Sequence, residues 1–261
     1  MPDEIATRSD QARAASGNEL KALLEGDEAA LLALLENPHV EEPYICQMLE
    51  RLDLSARVLT AVASEGKWTS SEGIRLRLAR HPHTPRRISL ALLRQLYLFD
   101  LVRLSLLPSA PAEIRRVADE IIITRVPHVP VGQKLTLARR GSARVAGALL
   151  AEGHPQAVKL ALANAFLTES QVLKVLAKPG LPERVVAAVA RDPKWSCQYN
   201  VRVALARNVH TPAHAVRSIL PNLTLRDLKD VLTLETLAPH LRIYIKAELA
   251  RRSGAIADEK P

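Results

Sequence analysis

The chain has 261 residues, a formal net charge of +8, 48% hydrophobic residues and only 3% aromatic ones. That is enough apolar mass to bury a substantial core as one large domain or two ordinary ones, and no run of eighteen uncharged apolar residues exists to span a membrane. The charge is uneven: through Glu50 three Lys/Arg stand against eleven Asp/Glu, a balance of −8, so the remainder carries +16, a polarity that steers acidic partners or lets the acidic end cover a basic face.

In chain order, residues 1–20 are polar and acidic, with no apolar stretch after a basic start. They read as a disordered acidic tail, not a secretory signal. Short apolar helices then alternate with Pro- or Asn-containing turns. Residues 31–36 lead into Asn37-Pro38-His39-Val40 and a helix over about 43–51. Residues 74–80 lead into His81-Pro82-His83-Thr84-Pro85 and a helix over 86–98. Residues 101–107 lead through Pro108 and Pro111 to a helix over 112–122. In the second half, residues 158–163 lead to Thr168 and a helix through 176, and residues 201–207 lead to Thr211-Pro212 and a helix ending before Pro221. The abundance of Leu, Ala and Arg favours helix throughout. Residues 254–261 read as a second tail. Cys46 and Cys197 stand alone and read as buried thiols in a reducing cytoplasm.

Residues 54–101 reappear without a gap as 181–228, with 20 of 48 positions identical. Chance in so Ala- and Leu-rich a chain gives roughly three to five matches, so this is an internal duplication. The punctuation is duplicated too. Thr84 and Thr211 are expected to N-cap the following helices with Pro85 and Pro212 at the first helical position, and Thr168 with Gln171 has capping-box spacing. Pro82, Pro108 and Pro193 are expected to end helices, and Asp100 and Asp227 to serve as N-caps. Ile88, Leu92, Leu93 and Leu96 share one helical face, as do Ala215, Ile219, Leu220 and Leu223 in the copy. Helix pairs this short bury such stripes only by stacking on neighbouring pairs, the logic of an α-solenoid. The expected fold is all-α, one continuous solenoid over 21–253 made of halves at about 21–147 and 148–253.

The units RLRLARHPHTPRRISLALL and RVALARNVHTPAHAVRSIL resemble the bacterial leucine-rich repeat variant and, more broadly, HEAT-like repeats: Leu-Ala-Arg, a polar or Pro turn, Thr-Pro, then an apolar helix. The resemblance is close for these two units and looser for about five others. It implies a right-handed superhelix of helix pairs with a binding or scaffolding role. Some proteins with such repeats carry a Cys-ligated iron–sulfur cluster; this chain lacks the Cys group, so no cofactor is implied.

Lys67-Trp68 and Lys194-Trp195 hold both Trp residues of the chain at equivalent places, each in a connection ahead of an Arg-bearing helix. A cation beside an exposed indole suits a base, a peptide aromatic or a phosphate; an indole plugging the seam between repeats suits packing, and the packing role carries more weight. Arg75 and Arg202 are duplicated and, with Arg77, Arg86 and Arg87, are candidates for a basic binding surface, as are Arg115, Arg116, Arg139, Arg140 and Arg144. Arg80 and Arg207, at helix ends, are expected to bond the last carbonyls. His81-x-His83 has no neighbouring carboxylate, and its copy keeps only His210, so no metal is expected.

The leading expectation is a cytoplasmic, non-catalytic scaffold binding another protein along a concave face, with no membrane or small-molecule partner. The alternative is a nucleic-acid-binding solenoid using the Arg helices and Lys-Trp connections. A third reading is enzymatic, because certain alkylpurine DNA glycosylases use HEAT-like repeats. That likeness is architectural only, and no residue here takes over a catalytic role.

Overall fold

The structure, a computed structural model, describes residues 15, 18–235, 237 and 239–258, with the backbone alone for residues 18, 240 and 254–258. It is 71% helix with no strand among the described residues. By contacts the chain falls into two compact units, Met1–Thr124 and Arg125–Pro261. No helix among the described residues is long and apolar enough to cross a membrane.

The first unit holds α1 (Asn18–Leu23), α2 (Glu28–Leu35), α3 (Glu42–Met48), α4 (Ala56–Ser64), α5 (Gly66–Thr69), α6 (Glu72–Arg80), α7 (Arg86–Leu93), α8 (Leu98–Leu106) and α9 (Ala112–Arg125), whose last residue meets the division. The second holds α10 (Val131–Arg140), α11 (Ala143–Glu152), α12 (Pro155–Leu162), α13 (Glu169–Leu176), α14 (Glu183–Arg191), α15 (Pro193–Ser196), α16 (Tyr199–Arg207), α17 (Ala213–Ile219), α18 (Leu225–Leu232) and α19 (Pro239–Asp258). The point between 147 and 148 at which the two halves were expected to meet lies inside α11. The tail expected from 254 begins inside α19, which runs on to Asp258; residues 1–14, 16, 17 and 259–261 of the expected tails lie outside the described residues.

Most of these helices have only two turns, too few to persist alone in water, so packing must hold them. Local signals set their starts. The side chains of Asp27, Ser55, Ser142 and Thr168 accept from Ala30, Val58, Val145 and Gln171 N–H, filling one open donor at each first turn. Each helix then turns an apolar stripe inward: Val58, Leu59 and Val62 on α4, and Val185, Val186 and Val189 at the same places on α14, are fully buried. α11 ends at Gly153 with φ +82°, a left-handed conformation that costs glycine nothing.

The duplication is wider in structure than in sequence. Seven consecutive helices of the first unit, α2 to α8, start at 28, 42, 56, 66, 72, 86 and 98; α12 to α18 start at 155, 169, 183, 193, 199, 213 and 225, each 127 residues later. Within each unit, corresponding helices of consecutive pairs also pack together. α2 lies on α4 and α3 on α6 in the first unit, while α10 lies on α12, α12 on α14, α11 on α13 and α13 on α16 in the second.

Several local expectations are corrected. Pro85 and Pro212, not the threonines, hold the N-cap positions, because α7 and α17 begin at Arg86 and Ala213 and leave each proline just outside the first turn. The Thr211 hydroxyl turns back and donates to Leu205 carbonyl at 2.6 Å, while Thr84 Oγ1 is buried without a partner. Asp100 and Asp227 sit inside the first turns of α8 and α18. Thr224 is the cap there, its Oγ1 accepting from Asp227 N–H and donating to its carboxylate at 2.6 Å. The helix expected over 86–98 stops at Leu93, where α7 gives way to a turn before α8. Cys197 is exposed and Cys46 is half-buried, its thiol pushed up chiefly by burial.

Candidate functional site

The Lys-Trp segments are not loops. Each is a single helical turn, α5 and α15, and each indole is only 3% exposed. Trp195 Nε1 donates to Leu162 carbonyl at the end of α12 (2.9 Å), so the ring closes the seam between one helix pair and the next. The lysine ammonium lies over its own Trp ring, 4.3 Å from the centroid in both copies, and Lys67 Nζ also donates to Val40 carbonyl. An indole covered by its neighbour's cation and buried on its other side offers no face to a base.

The arginines divide. Arg75 donates to Thr69 and Ser70 carbonyls (2.7 and 2.9 Å), and Arg202 to Ser196 carbonyl (2.8 Å), capping the Trp turns α5 and α15. The carbonyl-capping role expected of Arg80 and Arg207 thus belongs to this other pair, because the free carbonyls nearest an arginine are those of the short helix. Arg77 and Arg80 instead grip the two oxygens of Glu50 (2.8 and 2.7 Å), and Arg86 grips Glu113 (2.6 Å). Of the candidate basic set in the first unit, Arg75, Arg87 and Arg115 make no ion pair among the described residues, and Arg87 faces open space. It lines a groove with Ile88, Ala91 and Gln95. The structure therefore does not gather Arg75, Arg77, Arg86 and Arg87 into one open basic patch.

A feature read as punctuation in the sequence ties the repeats together. At four equivalent turns, Asn37, His81, Asn164 and Asn208 accept from the backbone N–H two residues on: His39, His83, Phe166 and His210 (2.7 to 3.2 Å). Each also reaches a distant carbonyl: Asn37 Nδ2 that of Ala15, and the other three one at or just past the end of an earlier helix, His81 Nε2 that of Arg51, Asn164 Nδ2 those of Ala138 and Gly141, and Asn208 Nδ2 that of Leu176. His81 and His83, whose Nδ1 meets Leu54 carbonyl, are thus fixed on the backbone, and among the described residues no group of three His, Cys, Asp or Glu is placed to hold a metal.

Only the neutral Nε2–H tautomer of His81 makes both of its bonds, since Nδ1 must accept from His83 N–H. Burial, the dominant cause, holds its pKa below the ordinary 6.5, aided by His83 and Arg80 and opposed by the Arg51 carbonyl bond and Asp53. The unfolded chain therefore binds this proton more readily than the folded one. Stability is full above about pH 6.5 and falls as pH drops towards the lower folded value. His81→Asn, which installs the residue of the second copy, is expected to leave the urea midpoint at about pH 8 nearly unchanged and to flatten its decline between about pH 6.5 and 5. A variant as acid-sensitive as the wild type would assign the decline to other groups.

Besides the Arg87 groove, two larger open grooves run between helices of neighbouring pairs, one in each unit. The first, about 1020 Å³, lies between α2 and α4 and includes Leu32, Leu35, Arg57, Thr60 and Ser64. The second, about 810 Å³, lies between α13 and α16 with an apolar floor and a rim of Lys178, Arg207 and His210. The sequence singled out none of these rim residues as binding candidates. Lys178 precedes the aligned 54–101/181–228 block, and Arg207 was assigned to a helix end. Comparison with protein-family models, with curated proteins and with solved structures finds no match for this chain.

Proposed function

We propose that the protein is a HEAT-like α-solenoid scaffold, similar to the leucine-rich repeat variant, that binds another protein in the grooves between its helix pairs. The observation that carries this reading is the pair of open grooves, of about 1020 and 810 Å³, each with apolar side chains on its floor and polar ones on its edge. Such a mixture suits a polypeptide segment, whose side chains offer both surfaces. The 127-residue recurrence of seven helix starts and the packing of helices of consecutive pairs support the solenoid part. Protein is favoured over nucleic acid because the candidate arginines and lysines that a phosphate backbone would need already have partners: Lys67 and Lys194 lie on their own indoles, Arg75 and Arg202 on carbonyls, and Arg77 and Arg86 on carboxylates.

Site-specific photo-crosslinking tests the reading. A photoreactive residue placed at Thr60 or Val203, inside the grooves, is expected to yield protein adducts in cells, and one at Lys229, outside both linings, is not. Adducts to nucleic acid from the groove positions, with affinity falling steeply as salt rises, would replace the protein reading with the nucleic-acid one.

A further inference from the structure

The rim cations of the second-unit groove have counterparts in the first unit that are already paired with acids. In the first copy Glu50 places its carboxylate between Arg77 and Arg80, and Asp53 pairs with Arg51 at 2.8 Å. At the 127-residue offset, Arg80 becomes Arg207 and Arg51 becomes Lys178, so both of these cations persist. Glu50 becomes Ala177, Asp53 becomes Gly180, and Arg77 becomes Ala204. Both acids are gone. In their place lies the 810 Å³ groove, floored by Leu173, Val203 and Ala204, rimmed by Lys178, Arg207 and His210, and lined by no acidic residue. Neither Lys178 nor Arg207 forms an ion pair among the described residues. The acid whose charge Arg207 feels, Asp227, is held chiefly by the hydroxyls of Thr224 and Tyr199.

We infer that this groove is a docking site for an acidic segment of a partner polypeptide, whose carboxylates take the places that Glu50 and Asp53 fill in the first copy. A guanidinium presents two parallel donors that match a carboxylate. An ammonium at the same rim takes the second charge, and the apolar floor takes the side chains between them. Two acids three residues apart with Leu around them, the pattern of residues 49–54, fit this arrangement. The inference rests on the protein-binding reading and specifies its ligand.

The test uses the full chain and an acetylated, amidated hexapeptide copying residues 49–54 with Arg51→Ala. Titrated into the isotope-labelled protein at low salt, the peptide is expected to shift the amides of Val203, Ala204 and Arg207 saturably, and the same peptide with Glu50→Gln and Asp53→Asn is not. Arg207→Glu in the protein should weaken binding at least about tenfold, the scale of one lost charge-assisted contact. Ala177→Glu is the decisive variant. It puts the first copy's own carboxylate back beside Arg207, so it should fold at least as well as the wild type and yet lose the peptide.

Three outcomes overturn the inference: binding that ignores Ala177→Glu, equal binding of the uncharged peptide, or free glutarate binding as tightly as the peptide. If the hexapeptide does not bind while Val203 still crosslinks a protein equally in the wild type and Ala177→Glu, the scaffold reading stands and this site falls. If no groove position crosslinks a protein, the scaffold reading itself falls.

Discussion

Trp195→Ala is expected to lower the unfolding free energy by about 3–5 kcal/mol, the range for deleting a large buried aromatic. The ring is 3% exposed, and its Nε1–H satisfies Leu162 carbonyl at the end of α12, so the variant opens a cavity and leaves a buried acceptor without its donor. Trp195→Phe keeps most of the volume and loses the hydrogen bond, for an expected cost of about 1–2 kcal/mol. Lys194→Ala removes only the cation over the ring, worth about 0.5–1 kcal/mol at an exposed site. Urea midpoints followed by far-UV circular dichroism rank the three. If Trp195→Ala cost less than about 1 kcal/mol, the indole would not be a packing element, and the Lys-Trp pair would again be a candidate surface for a stacked ligand. The graded series separates the two roles because a binding residue is lost without a stability penalty.

How much of this was legible before the structure depends on which residues are read. Helical class and the Leu-Ala-Arg ends follow from composition and spacing; of the stripe expected over 86–98, Leu92 and Leu93 are buried on α7, Leu96 is buried in the turn after it, and Ile88 is only half-buried. The duplication was visible only over 54–101 because identity drops upstream. Over 28–53 only five of 26 positions match 155–180, namely Ala30, Leu35, Asn37, Glu42 and Leu49, yet the helix starts keep the same offset. Burial constrains size and polarity more than identity, so Ile45 can become Val172 and Met48 become Val175, each still buried, with no trace in an identity count. The arginines were illegible for another reason. Whether Arg75 faces solvent or the carbonyls of Thr69 depends on a one-turn helix that periodicity cannot detect, and whether Arg207 is paired depends on residue 177 in a different helix pair. Thr84 and Thr211 misled because Thr-Pro suits an N-cap pair and a pre-cap pair equally, and one residue of register decides between them.

The turn residues yield the second large expected effect. Asn164 is 1% exposed and satisfies three backbone groups at once: its Nδ2 donates to Ala138 and Gly141 carbonyls (2.8 and 3.0 Å), and its Oδ1 accepts from Phe166 N–H (2.7 Å). It thereby ties the end of α12 to the end of α10. Asn164→Ala removes three bonds and strands their partners in the interior, for an expected loss of about 3–4 kcal/mol. Asn164→Asp should be worse, since a buried carboxylate would then face two carbonyl oxygens with no donor to offer. Asn164→His is the informative variant. The His81 turn shows that an imidazole can accept at Nδ1 and donate at Nε2 in this setting, so histidine recovers two of the three bonds and should cost only about 1–2 kcal/mol at pH 8. It should also import the acid sensitivity that His81→Asn removes from the first unit. Urea denaturation at about pH 8 and pH 5.5 measures both effects. The expected order is His, then Ala, then Asp in increasing loss. Equal losses for all three would mean that the position needs shape and not hydrogen bonds, and the link between helix pairs would then rest on the apolar stripes alone.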